Sequence, residues 1–228
     1  MSFENKIGAV IVAAGSGLRF GERKQFKELN KKPLFQYSLE QFLQAEQISE
    51  ISLVVPEDLI VEISNKVSKT NTKIKAVAGG ELRQDSVLNG VNAISEECEL
   101  IIVHDAARPF VTKTIINNTI EACAEIDGVV AAVPASDTIK VVDTNNRIKR
   151  TIPRESVWLA QTPQVFHRSK LLQALAYATT NQVIVTDEAS LLESLDFSVA
   201  VVKGDVNNFK ITTPSDWATA EHFARSKK

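Results

Sequence analysis

Cysteine is almost missing from this chain: Cys98 and Cys123 are the only two in 228 residues. Both fall in runs that read as helical, and neither has a metal-ligand or bridging partner nearby. A disulfide framework and a zinc site are therefore excluded, and two reduced, structural thiols are expected. An excess of charge of one sign is also missing. Twenty-six Lys and Arg stand against 28 Asp and Glu, for a formal net charge of -2. A binder of bulk DNA or RNA normally carries a basic surplus, so no nucleic-acid partner is expected. No apolar run approaches the ~20 residues of a membrane span. The opening Met1-Ser-Phe-Glu-Asn-Lys6 leads straight into a strand-like run, without the pattern of a secretory leader, so a cytoplasmic protein is expected. Internal repeats and low-complexity tracts are lacking too. The length is too short for two large domains but ample for one spanning 1–228.

What is present is an alternation of short β-type runs and amphipathic stretches. Ile7 to Ala14 is apolar throughout, as a strand buried on both faces must be. Ile51 to Val55, Ile74 to Ala78, Leu100 to Val103, Val129 to Val133 and Phe197 to Val202 have the same character. Between them, Phe35, Leu39, Phe42 and Leu43 form one helical stripe, and Leu171, Leu172, Leu175 and Ala178 another. A last helix is signalled by Thr213-Pro-Ser-Asp216, with Thr213 as its cap and Asp216 at its positive end. The tail Arg225-Ser-Lys-Lys228 is expected to fray. The pattern predicts an α/β fold: a mainly parallel sheet with helices on both faces.

One stretch breaks the rhythm. Thr138 to Val142, a polar Asp143-Thr-Asn-Asn146 and Arg147 to Ile152 read as a hairpin. It has little apolar surface, and an isolated hairpin is marginal in water. Residues 135–158 are therefore expected to form an arm that packs on a second copy of the chain.

The first strand runs into Ala13-Ala-Gly15-Ser-Gly17-Leu-Arg19-Phe-Gly21-Glu-Arg23-Lys24. Glycines there permit a tight turn and let backbone N–H groups approach an anion. A dinucleotide-dependent dehydrogenase would need G-x-G-x-x-G and an acidic residue about 20 positions on, but Gly21 is displaced and Gln36 to Glu40 is helical. A P-loop would need G-x-x-x-x-G-K-[ST], which is absent. The remaining readings are a loop wrapping a triphosphate, with Arg19 and Lys24 supplying charge, and a plain glycine turn with solvated basic residues.

Seven segments in register then carry a resemblance that spans nearly the whole chain. They are the glycine loop with Lys24-Gln-Phe26, Gly79-Gly-Glu-Leu-Arg-Gln-Asp-Ser-Val87, Val103-His-Asp-Ala-Ala-Arg-Pro-Phe110, Pro134-Ala-Ser-Asp-Thr-Ile-Lys140, Gln161-Thr-Pro-Gln-Val-Phe166, Thr186-Asp-Glu-Ala-Ser190 and Lys210-Ile-Thr-Thr213. In these the chain resembles the nucleotidyltransferases that activate sugar and polyol phosphates, and most closely the 2-C-methyl-D-erythritol 4-phosphate cytidylyltransferases. It departs from them in a shorter glycine loop with Arg23 in place of a proline, and in Asn207 where an acidic residue is frequent.

The resemblance implies a Rossmann-like fold of the nucleotide-diphospho-sugar transferase type with a protruding hairpin, a homodimer, and Mg²⁺ with CTP. It implies transfer of CMP from CTP to a polyol phosphate, with release of pyrophosphate. By resemblance, Arg19, Lys24 and Lys210 are catalytic, and Ala13, Ala14, Gly15, Gly17, Gly80 and Ser86 bind CTP. Asp105, Arg108, Thr138, Thr186 and, across the dimer, Arg154 hold the polyol phosphate. Asp105 is the candidate metal ligand, unless the ion is held by phosphates and water alone. Several of these residues have bland readings as well. Lys24 and Lys210 suit a solvated surface, Arg83 could pair with Asp85, Asp105 with Arg108, Asp187 could cap a helix, and His104 reads as structural. Ribitol-5-phosphate cytidylyltransferase is the nearest alternative; the run Asp105-Ala-Ala-Arg108 leans toward methylerythritol phosphate.

Overall fold

Strand β1 (Lys6–Val12) is apolar on both sides because both of its sides are covered. Ile7, Ala9 and Ile11 belong to one buried cluster and Val10 to another, as the two-residue period of a strand requires. A computed structural model describes residues 6–68, 71 and 73–226. After β1 come a small ribbon, β2 (Glu28–Leu29) and β3 (Lys32–Pro33), then α1 (Leu34–Gln44), β4 (Ile48–Val55), α2 (Ile60–Ser68), β5 (Ile74–Ala78), α3 (Arg83–Asn92), β6 (Cys98–Asp105), α4 (Lys113–Ala122) and β7 (Gly128–Pro134). The hairpin β8 (Ile139–Val142) and β9 (Ile148–Ile152) follows, then β10 (Trp158–His167), α5 (Arg168–Asn181), α6 (Glu188–Glu193), β11 (Val199–Lys203) and α7 (Pro214–Ser226).

Seven strands make one sheet in the order β11-β7-β10-β6-β1-β4-β5. The pairs β1–β4, β1–β6, β4–β5 and β7–β11 are parallel. β10 runs against both of its neighbours. The fold is thus the expected α/β sheet. Of the predicted strands β5 is found with its ends unchanged, four others have ends moved by a few residues, and β11 is shifted to 199–203. β10 is the strand that sequence patterning passed over. Gln161, Thr162 and Gln164 are buried in it, so its hydropathy is not that of a core strand. Cys98, expected in a helix, opens β6 instead; Cys123 caps the end of α4.

Helices α1, α2 and α4 cover one cluster, which holds the predicted Phe35–Leu39–Phe42 stripe. Helices α3, α5 and α6 cover the other, with Leu171, Leu175 and Ala178. A Cβ on Gly90 of α3 would meet Val10 Cγ1 at 2.4 Å, so glycine is what lets this helix lie against β1. A third cluster joins α7 to the loop after β1: Trp217, Ala220, Phe110 and Ile211 with the half-buried Phe20. Helix α7 starts as expected. Asp216 N donates to Thr213 Oγ1, and Thr213 N donates to Asp216 Oδ2, a reciprocal cap that contributes about 1 kcal/mol. Arg225 and Ser226 complete α7, so of the tail only Lys227 and Lys228, like Met1 to Asn5, lie outside the described residues.

The hairpin is found where it was predicted, as its own two-stranded sheet. None of its residues enters a core cluster, and Val142 and Ile148 are exposed.

Candidate active site

The carboxyl ends of parallel strands leave a crevice where neighbouring connections diverge. Here β1 lies between β4 and β6, and the connections leaving β1, β5 and β6 all supply residues to one cleft of about 550 Å³. From β1 comes the glycine loop. Gly17 has φ +73°, and a Cβ on it would lie 1.8 Å from Glu22 O. Only glycine lets the loop close on itself this way, with Phe20 N and Gly21 N both donating to Gly17 O. Gln25 Nε2 donates to Gly15 O at 3.0 Å and pins the loop's start. Ala14, Gly15, Gly17 and Arg19 line the cleft; Ala13 is fully buried in the α1-side core and does not.

Lys24 sits in a single 3₁₀ turn at the end of this loop and is 7% exposed, which removes its reading as a surface lysine. Burial lowers its pKa, and Lys210 and Arg19 lower it further. From β5 come Gly80 and, in α3, Ser86, whose Oγ accepts from Gly80 N at 3.0 Å. From β6 comes Asp105. From the segment before α7 comes Lys210, whose Nζ stands 2.7 Å from Asp105 Oδ2. That segment is laced to β10: Gln161 Nε2 donates to Asp205 O, and Asn208 Nδ2 donates to Thr162 O.

A second cleft of about 190 Å³ adjoins the first, lined by Arg108, Gln161, Thr162, Gln164, Thr186 and Asp187 among others. Arg83, Asp105 and Lys210 line both. One bland reading paired Arg83 with Asp85 at the helix surface. Instead its Nε and Nη2 each donate to Asp105 Oδ1 at 3.1 Å, and its Nη1 reaches both oxygens of the buried Glu188 at 2.7 and 2.6 Å. Asp85 caps α3 by accepting from Leu82 N. Burial by itself would raise the Asp105 pKa, but Arg83, Lys210 and Arg108 overcome it and hold the carboxyl far below the usual range. The bland alternative of an Arg108–Asp105 ion pair is not formed; the Arg108 guanidinium donates to the carbonyls of Asn208 and Ala160. Asp187 does cap α6, accepting from Ser190 N.

His104 is structural, as expected. Its Nε2 donates to Arg108 O at 3.2 Å, so Nδ1 must accept from Thr162 Oγ1 at 3.0 Å, and that same oxygen accepts from Asp105 N. The ring thereby fixes the turn that aims Asp105. Burial pushes its pKa down to about 4. Below about pH 6.5 the unfolded ring takes a proton that the folded ring refuses. Stability from this group is therefore full above about 6.5 and declines by about 1.4 kcal/mol per pH unit toward 4. Urea midpoints measured across this range should slope downward in acid, and His104→Gln should flatten that slope; an unchanged slope in the variant would contradict the assignment.

Not every expected residue meets in this crevice. Thr138 and Arg154 are exposed on the hairpin arm, where Arg154 Nη1 donates to Ser136 O, and neither lines either cleft of its own chain. Arg23 pairs with Asp58, and Lys140 donates to Thr151. A direct metal site is not built either. Both Asp105 oxygens are taken by cations, and the described residues contain no cluster of three His, Cys, Asp or Glu that could hold an ion. Arg83, Gln25, Thr162 and Glu188 are site residues that residue chemistry alone did not single out.

Four cationic side chains (Arg19, Lys24, Arg83, Lys210) and two carboxylates (Glu81, Asp105) line the larger cleft, a positive excess that suits a polyanion. Such a cleft beyond strand ends, adjoining a smaller polar one, fits an enzyme that transfers a group from a nucleotide. Comparison with known proteins narrows the class. The family model of 2-C-methyl-D-erythritol 4-phosphate cytidylyltransferase (IspD) matches residues 7–226. The enzyme of that name from Syntrophus aciditrophicus is 41% identical over 228 residues, covering 98% of this chain and 97% of its own; that from Halalkalibacterium halodurans is 42% identical over 224 residues, covering 96% and 97%. The crystal structure of 4-diphosphocytidyl-2C-methyl-D-erythritol synthase from Anaerococcus prevotii superposes with a TM-score of 0.88 at 30% identity, covering 97% of this chain and 96% of that one. The 2-C-methyl-D-erythritol 4-phosphate cytidylyltransferase from Thermus thermophilus gives 0.81 at 31%, covering 96% and 99%. This chain belongs to the 2-C-methyl-D-erythritol 4-phosphate cytidylyltransferase family, and so is a nucleotidyltransferase.

Proposed function

We propose that the protein transfers CMP from CTP to 2-C-methyl-D-erythritol 4-phosphate, giving 4-diphosphocytidyl-2-C-methyl-D-erythritol and pyrophosphate, a step in making isoprenoid precursors. The observation that carries this reading is the shared wall of the two clefts. Arg83, Asp105 and Lys210 stand between a cationic cleft large enough for a nucleoside triphosphate and a smaller polar one. The acceptor's phosphate oxygen attacks the α-phosphorus from the smaller cleft, and pyrophosphate leaves along the glycine loop. That oxygen is already ionised at neutral pH, so no general base is needed. The protein's task is to hold two anions in line and to place positive charge where charge builds up. Lys24, Arg19 and Lys210 do the latter. Ala14, Gly15, Gly17, Gly80 and Ser86 seat the nucleotide. Asp105, Arg108 and Thr186 hold the acceptor. Magnesium, which would be held by the triphosphate and water and not by Asp105, would supply charge neutralisation there, while Arg19, Lys24 and Lys210 position the phosphates.

The arm completes the site from a second copy of the chain, in a cytoplasmic homodimer; Thr138 lies near the acceptor and the partner subunit's Arg154 meets its phosphate. The solitary hairpin and the absence of Arg154 from its own chain's clefts support this. Mixing Arg154→Ala with Lys24→Ala protein should restore activity to about a quarter of the sites. Half of randomly paired dimers are mixed, and each mixed dimer assembles one intact site. No recovery after subunit exchange would place Arg154 in its own chain's site.

The reading as a whole is tested by pyrophosphate release from CTP with methylerythritol phosphate and with ribitol 5-phosphate in parallel. Turnover should be confined to the first; turnover with ribitol 5-phosphate alone would transfer the assignment to its nearest alternative.

A further inference from the structure

We propose that Glu188 is a positioning residue for this transfer. It holds Arg83 against Asp105, and thereby sets where Lys210 stands between the two clefts. Glu188 lies in the first turn of α6, is 0% exposed and lines neither cleft, so it touches no substrate. Its two oxygens close on one guanidinium nitrogen of Arg83, whose other two nitrogens close on Asp105 Oδ1. Asp105 Oδ2 then takes Lys210. The result is a line of alternating charge, Glu188–Arg83–Asp105–Lys210, that sums to zero and ends at the reacting phosphates.

A buried ion pair is often no more stabilising than an apolar pair of the same volume, so stability alone does not account for this one. Geometry does. Arg83 faces both clefts, and a guanidinium is a ready bidentate partner for phosphate. With Glu188 neutral, Arg83 is free to turn onto the triphosphate. It then strengthens ground-state binding while Asp105 and Lys210 lose their register. Interactions made equally or better in the ground state do not raise turnover. The same seam is stitched by Gln84, whose Nε2 donates to Val183 O and whose Oε1 accepts from Val185 N. These bonds tie the nucleotide-side helix α3 to the segment that carries Thr186, so Glu188 sits where the two halves of the site are joined.

The inference rests on the cytidylyl-transfer reading, so wild-type protein is assayed alongside; an inactive wild type would overturn that reading and not this one alone. Glu188→Gln keeps the shape and removes the charge, whereas Glu188→Asp keeps the charge and shortens the reach. Glu188→Gln should lose more than about fivefold in kcat with KM for CTP unchanged or lower, while melting close to wild type. Glu188→Asp should melt lower yet retain the higher kcat of the two. A structural role alone predicts one rank order for both measurements, with Gln ahead of Asp. That order, or a Gln variant within about fivefold of wild-type kcat, would overturn the proposal. Should Glu188→Gln fail to fold, Glu188→Asp decides: kcat within about fivefold of wild type upholds charge positioning, and a larger loss refutes it.

Discussion

Lys24→Ala should leave the protein folded and cut turnover about 10²–10³-fold, the effect of removing one preorganised contact worth about 2.7–4 kcal/mol in the transition state. The geometry makes the two halves of this expectation separable. The Lys24 side chain is largely buried, and among the described residues its amine makes no hydrogen bond to a carboxylate; Lys210 and Arg19 repel it, and Asp105 and Asp216 offset that only from a distance. A group whose protonated form is disfavoured by folding destabilises the folded chain wherever it is charged, so loss of the charge itself costs no stability at neutral pH, and only the packing of its stem is given up. What it awaits is an anion. Turnover at saturating CTP and acceptor, read beside the melting temperature, checks the point. A collapse in melting temperature, or turnover within about threefold of wild type, would contradict it.

Arg83→Met should instead strike stability. It leaves Glu188 and Asp105 buried, the first with no cation at all. Removing one partner of a buried pair costs about 3–5 kcal/mol, because the other is left uncompensated. Against a total stability of about 5–15 kcal/mol, that is a large share. At about 2–4 °C per kcal/mol for a chain of this size, the melting temperature should fall by about 6–20 °C. The pH dependence carries a sign. An unpaired carboxyl in an apolar site has its pKa raised, so the penalty is greatest at neutral pH and shrinks as the pH falls and the group takes a proton. The gap between variant and wild type should therefore narrow from about pH 7 toward about pH 5. A gap that widens, or a melting temperature within about 2 °C of wild type, would show that the pair is not what holds this seam.

These two residues also mark how far the chain could be read from its order of letters. Strand β1 was legible because burial on both faces leaves no polar residue in its interior. The same logic hid β10, whose Gln161, Thr162 and Gln164 are buried through their hydrogen bonds and not through apolarity. Lys24 was legible as a loop cation, but its burial was not, since nothing in Arg23-Lys24-Gln25 announces a desolvated amine. Arg83 and Glu188 both lie in segments that drew attention for other members, yet they are 105 positions apart. A side-chain pair at that separation has no period and no spacing; it exists only once α3 and α6 lie on the same face of the sheet. The bland alternative for Arg83, a pair with Asp85, is the one that local spacing suggests. The fold overruled it because Asp85 is needed at the end of α3.

The contact between Phe20 and Trp217, with ring centroids 5.6 Å apart, joins the glycine loop to α7, two elements far apart along the chain. It has a consequence during synthesis. The glycine loop leaves the ribosome well before the helix that packs against it. Until Trp217, Ala220 and Ala224 arrive, Leu29, Phe110 and Phe20 have no cover on that side. A nascent or truncated chain can thus carry every phosphate-facing residue and still lack a seated loop. Seating of the loop therefore depends on a helix that is made much later than the loop itself.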